Sequence, residues 1–292
     1  MAIRVTQAWK TQSNINRLTQ SRSEIASLQE KAFTGKNVKR ASDAPQEWVG
    51  IETLQSSQRD QSVYAQNADR AQGILNAQDR ALGAASDILK RVRELGIGAS
   101  SEVALDDHHS AAADEMASIR EQLVGLANQE YAGRFLFAGT AYDSRPFDDA
   151  GNYLGNTEEP AVRVSRENTV IQGMDGSGIF KGPIDVFQVI DDFQAALQNE
   201  DSDAVFDLLD EMADMQDQVV DSRRRVGVYQ SRTEDLAMLA TEMDTTLQQL
   251  VSNKTDSDPI SIYTQIQSMQ STYEATLQIS ASSFQRSLFQ FL

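Results

Sequence analysis

The sequence holds no cysteine in 292 residues, so neither a disulfide framework nor a thiolate metal site is available to it. Histidine is nearly absent too: the only two are adjacent, His108 and His109. Aromatic residues make up 7% of the chain, a composition that suits helices joined by thin buried seams better than a thick globular core. Proline occurs five times, at Pro45, Pro146, Pro160, Pro183 and Pro259. The long intervals between are thus free of the residue that breaks helix interiors.

No segment approaches the ~18 consecutive apolar residues that a spanning helix needs. The first twenty residues carry Arg4, Lys10 and Arg17 without a continuous apolar run. No cleaved signal peptide and no membrane partner are therefore expected, and export would need a route without such a signal. A net charge of -17 disfavours nucleic acid as a partner. The serine-histidine-acid, phosphate-loop and Rossmann glycine patterns are missing, so the expectation is a chain that is not an enzyme and has no cofactor.

What the chain does have is helical periodicity. Ile262, Ile266, Met269, Tyr273, Leu277, Phe284, Leu288 and Phe291 follow at three- and four-residue steps, with Ser280 in the one missing position. They share one helix face. Around them Ser, Gln and Thr dominate, and so narrow a stripe is a seam for another helix. Ile262, Tyr273 and Phe284 recur every eleven residues, a period that keeps a helix pair nearly straight. A comparable stripe lies at the other end, in Ile15, Leu18, Ile25, Leu28 and Ala32, broken at Arg22. The two ends are expected to form one coiled coil. Its candidate assembly surface is Ile15, Leu18, Ile25 and Leu28 with Ile262, Ile266, Met269, Tyr273, Leu277, Phe284, Leu288 and Phe291.

Between the ends, a first helix is expected over 6–33, closing at Thr34-Gly35. A link leads to Ser42-Asp43-Ala44-Pro45, where Ser42 or Asp43 would cap a second helix with Pro45 in its first turn. That helix carries Tyr64, Ala68, Ala71, Leu75, Gln78, Leu82, Ala85, Leu89 and Val92 on one face and stops near Gly96 to Gly98. A third runs to about Ala132-Gly133, antiparallel to it because the connection is short. Arg134 to Gly139 reads as a strand, and 161–164 with 169–172 as a hairpin. Helices resume at Ile184 and at Asp201 to Asp203. The triplet Arg223-Arg224-Arg225 reads as a basic turn before a further helix bearing Leu236, Leu239, Met243, Leu247 and Leu250, and Pro259 opens the last helix. The expected fold is mainly α: an elongated rod of terminal coiled coil (1–44 with 255–292) plus an antiparallel helical bundle (45–133 with 184–254), with a small β-rich insertion domain (134–183).

Other groupings have plain readings beside sharper ones. His108 and His109, next to Asp106 and Asp107, read as a solvated loop and helix start rather than metal ligands, because no further histidine completes a site. Asp207, Asp210, Glu211, Asp214 and Asp217 are spaced as a solvated helix face and lack a calcium-loop pattern. The arginine triplet reads as an intramolecular or intersubunit charge contact rather than a phosphate site. Lys90 to Leu95 reads as helix surface packing on a neighbouring subunit.

Four pieces of this chain resemble the bacterial flagellin family. They are Thr34-Gly35-Lys36-Asn37 through Ser42-Asp43-Ala44-Pro45; Ala68 to Leu75 through Lys90 to Leu95; Gly133-Arg134-Phe135-Leu136-Phe137-Ala138-Gly139-Thr140 with Pro146-Phe147; and the ending Ser287-Leu288-Phe289-Gln290-Phe291-Leu292. The last two are similar to the branch that sits at the hook-filament junction rather than in the filament. The resemblance implies a structural adaptor exported by the flagellar type III apparatus with a cytoplasmic chaperone. It further implies a homo-oligomeric ring of about eleven subunits between hook-associated protein 1 and flagellin, with the terminal helices as an inner tube. The alternative is a short flagellin forming the filament itself.

Overall fold

The computed structural model describes residues 2–100 and 106–289, with side chains at 9, 12–100 and 109–282. Helices dominate as expected: α1 (Ala2–Thr34), α2 (Pro45–Ala99), α3 (Asp106–Ala127), α4 (Ser177–Phe180), α5 (Val186–Gln198), α6 (Ser202–Thr255) and α7 (Pro259–Phe289). Two antiparallel hairpins complete the described chain, β1 (Glu130–Tyr131) with β2 (Arg134–Phe135) and β3 (Ala161–Arg163) with β4 (Thr169–Ile171). The residues divide into two compact units, one of Met1–Gln58 with Thr245–Leu292, the other of Arg59–Asp244. We call these the terminal unit and the middle unit.

The middle unit has a thick core. Leu75, Leu82, Leu89 and Val92 of α2 are fully buried and share one cluster with Met116 and Leu123 of α3, Ile190 and Phe193 of α5, and Met212, Met215 and Val219 of α6. The three/four spacing of the α2 residues puts them on one face. The irregular stretch between β2 and α5 adds aromatic rings to this same cluster: Phe180 meets Phe137 and Phe147 edge-on, each at 5.6 Å, and lies 5.8 Å from Phe187. Each such ring contributes roughly 1.5–3 kcal/mol through removal from water.

Buried and half-buried polar side chains fasten the irregular stretch. The Gln78 amide, inaccessible to solvent, donates to the carbonyls of Leu136 (2.6 Å) and Met174 (2.9 Å) and accepts from the Met174 N–H at 3.0 Å. Arg120 reaches the Asp191 carboxylate and the carbonyls of Asp149 (2.8 Å) and Ala150 (3.1 Å). Because these groups are satisfied, their burial does not carry the cost of an unpaired polar atom. Tyr153 donates its hydroxyl to the Asn156 carbonyl at 2.6 Å. Burial first, and then the nearby Asp175 carboxylate, push its pKa above the ordinary phenol range.

Several expectations need correction. The third helix ends at Ala127, not at 132–133. The residues after it turn back as a hairpin, with positive φ at both central positions, Ala132 (51°) and Gly133 (76°), the backbone a tight two-residue hairpin requires. The strand expected over 134–139 stops at Phe135. Leu136, Phe137 and Ala138 instead turn into the core, and Gly139 adopts φ 65°, where a Cβ would fall 2.2 Å from the Asn156 carbonyl oxygen. Only glycine fits there.

Arg223 to Arg225 form no turn. They lie inside one continuous helix, α6, because arginine is a good helix former and each finds a carboxylate without leaving the helix. Arg223 pairs with Asp79 at 2.8 Å, Arg224 with Asp221 at 2.5 Å and Arg225 with Glu159 at 3.2 Å. His109 is not solvated: it is buried, with Nε2 3.2 Å from the Ala99 carbonyl. The side chain of His108 lies outside those described.

Candidate assembly surface

The terminal unit is built differently. α1 packs along α7, and the two run antiparallel. Leu28 borders the same hollow as Ile262, while Glu24, one turn earlier, borders a groove with Ser268 and Met269. The seam expected from the two stripes is therefore present, but two helices close it only in part. Ile262 is buried; Leu18, Ile25, Leu28, Ile266, Met269 and Tyr273 are half-buried; Ile15 and Leu277 stay 46% and 43% exposed. Ser280, the polar step in the stripe, is buried, and its Oγ has no partner among the described residues. The side chains of Phe284 and Leu288, and all of Phe291, lie outside the described residues.

The link between α1 and α2 is stitched to the break between α6 and α7. The N–H groups of Asn37 and Val38 donate to the Thr255 carbonyl at 2.7 and 3.2 Å, and Ser257 N–H donates back to the Gly35 carbonyl at 2.9 Å. Gly35 supplies the left-handed turn at the end of α1, with φ 66°. Across this ladder Lys36 donates to Thr255 Oγ1 at 3.2 Å and bonds the Asp256 carboxylate. The Lys36 bond, joined by Ser252, holds the Asp256 carboxyl below its ordinary value.

Asp43, expected as a possible cap of α2, does something else. Its Oδ2 accepts from the N–H groups of Lys39 and Arg40, both at 2.9 Å, closing the turn of the link and lowering its own pKa. Pro45 does open α2. Lys39 reaches back to Glu30 at 3.2 Å. The segment that looked like a family link is thus the part of this unit where main-chain bonds join the two ends of the sequence.

Residues 5–142 match the model of the bacterial flagellin N-terminal helical region. That stretch is similar to the helical region of flagellins. The flagellar hook-associated protein 3 of Salmonella typhimurium is 28% identical over 180 residues, which is 61% of this chain and 57% of that protein. The chain thus spans little more than half the length of the curated relatives it matches.

The putative flagellar hook-associated protein of Vibrio parahaemolyticus superposes with a TM-score of 0.65 at 21% identity, covering 73% of this chain and all of that one. The flagellar hook associated protein-3 of Legionella pneumophila gives 0.61 at 13% identity, covering 68% and 98%. At those identities the likeness shows a shared fold. The resemblance read from the flagellin-family pieces therefore stands.

Apolar residues outside the two stripes went unread in the sequence. Trp9, Phe33, Val49, Ile260, Tyr263 and Ile279 are 62–92% exposed. The available signal was negative: each falls off the stripe spacing, so nothing within the chain was in register to cover it. Arg91, in the stretch read as meeting a neighbour, bonds Glu115 of α3 at 2.7 Å. The carboxylates Asp207, Asp210, Glu211, Asp214 and Asp217 are all exposed, as a solvated face would be.

Proposed function

We propose that this chain is a non-enzymatic structural adaptor of the bacterial flagellum that forms a ring at the hook-filament junction. It would join hook-associated protein 1 on one side to flagellin on the other. The observation that carries this reading is the half-open seam between α1 and α7 in a unit of flagellin-family fold. An apolar stripe that two helices leave half in water is completed when neighbouring subunits cover it. The similarity to relatives named hook-associated proteins supports this reading.

Within this reading the assembly surface is carried by 1–44 and 255–292, with the stripe from Ile15 to Phe291 at its centre. The bundle of 45–133 with 184–254 and the insertion of 134–183 make up the other two domains. Subunits would number about eleven in a closed cyclic arrangement. A chaperone would hold the ends in the cytoplasm before export without a cleaved signal, since a thin helix pair is marginal until its stripe is covered. Binding then supplies the free energy that offsets ordering of the ends.

Deleting the gene in its host, imaging the flagella and assaying the medium tests the proposal. Bare hooks with unpolymerised flagellin in the medium are the expected result. Bare hooks with the junction intact and no flagellin shed would make the chain a filament subunit, and normal filaments would overturn the reading.

A further inference from the structure

A ring of identical subunits joined head to tail needs two different patches on each copy, one fitting the other. The terminal unit carries such a pair on opposite sides of α1. One is concave: a groove of about 430 Å³ lined by Glu24, Ser27, Leu28, Gln265, Ser268 and Met269. Leu28 and Met269 give it apolar surface, and Ser27 and Ser268 are small. The other is convex. Phe33 is 92% exposed and Ile15 46% exposed, and their separation of 18 positions is five turns at about 3.6 residues per turn. They lie on one face, and Ile15, at the far end of the α1 stripe and 13 residues before Leu28, is turned away from the groove that Leu28 lines.

Glu24 stands nine residues from each of them, about two and a half turns at the same pitch. The groove side and the Phe33 side of α1 thus point in opposite directions. The charges are complementary as well. Arg22, eleven residues before Phe33 and so on its face, is exposed and makes no ion pair among the described residues, whereas Glu24 borders the groove.

From this arrangement, and resting on the ring reading above, we infer that Phe33 of one copy seats in the α1/α7 groove of the next copy, with Arg22 approaching the neighbour's Glu24. The contact removes from water the most exposed large apolar side chain of the described residues. It repeats around the ring without using up either patch. It also gives Arg22, which interrupts the α1 stripe, a place outside the seam.

The cysteine-free sequence makes the contact directly testable. In flagella purified from cells carrying the double variant Phe33→Cys/Ser268→Cys, mild oxidation should yield a ladder of covalent oligomers on a non-reducing gel. Such a bond needs Cα atoms within roughly 7 Å. The control pair Phe33→Cys/Ser282→Cys should stay monomeric, and Phe33→Asp should lower the amount of assembled protein at least ten-fold while leaving the helical circular dichroism of the monomer unchanged. Rings at normal abundance whose Phe33→Cys/Ser268→Cys copies cross-link no more than the control would overturn this contact and leave the ring reading standing. Absence of rings from the unsubstituted chain would remove both.

Discussion

The middle unit and the terminal unit are made of similar helices but complete themselves differently. In the middle unit four helices and an irregular stretch enclose Phe137, Phe147, Phe180 and Phe187, all with almost no exposure. In the terminal unit α1 and α7 share one seam in which Ile262 is buried and Leu277 and Ile15 are not. Charge divides in the same way. The terminal unit has 10 basic against 8 acidic residues, and the middle unit 16 against 35. A strongly acidic surface around a thick core suits a body that stays soluble, and its self-repulsion discourages unspecific association. A nearly neutral surface with apolar residues in water suits a part meant to be covered.

The contrast can be broken from either side. The largest effect is expected in the middle core: Phe147→Ala should lower the unfolding free energy of that unit by about 3–5 kcal/mol, measured by denaturant titration, because its ring meets Phe180, Phe187 and Tyr153. A loss below about 1 kcal/mol would mean that the aromatic cluster does not hold this unit together. Next comes the seam. Ile262→Asp places a carboxylate without a partner in the closed part of the stripe, a cost of about 1–3 kcal/mol. It should abolish ring assembly while leaving the middle unit's denaturation midpoint unchanged. Assembly at the normal level would count against the seam.

The smallest effect belongs to the stitched link. Asp256 has a folded pKa below its ordinary value, chiefly because of Lys36. Its contribution is therefore present above the unfolded carboxylate pKa and is lost as pH falls through the lowered folded value. Both side chains are largely exposed, 44% and 41%, so the effect stays within about 1 kcal/mol. Lys36→Met should flatten the acid limb of terminal-unit stability by that amount, followed by circular dichroism. An acid limb identical to that of the unsubstituted chain would show that the bond is too weak in solution to matter.

These two kinds of structure were also unequally legible in the sequence. Periodic features were readable because one helix face is a local property: the Leu75 to Val92 face, the Ile262 to Tyr273 seam, the hairpin around Ser165 to Asn168. What escaped depends on partners far along the chain. Arg223 to Arg225 looked like a turn because Asp79 and Glu159, the partners of Arg223 and Arg225, are remote in sequence. Gln78 looked like one more member of a stripe, although its amide bonds Leu136 and Met174. Asp43 fitted a cap by spacing, yet the preceding Lys39 and Arg40 amides took its carboxylate. Phe33 ended a helix without any sign of what would cover it.

The central claim is that the middle unit is complete in one chain and the terminal unit is completed by neighbours. Amide hydrogen exchange of the free monomer, compared with the assembled ring, tests it most directly. The account predicts slow exchange in α2, α3 and α5 around the aromatic core in both states. It predicts fast exchange along α1 from residue 12 and along α7 in the monomer, becoming slow in the ring. Slow exchange throughout α1 and α7 of the free monomer would contradict it.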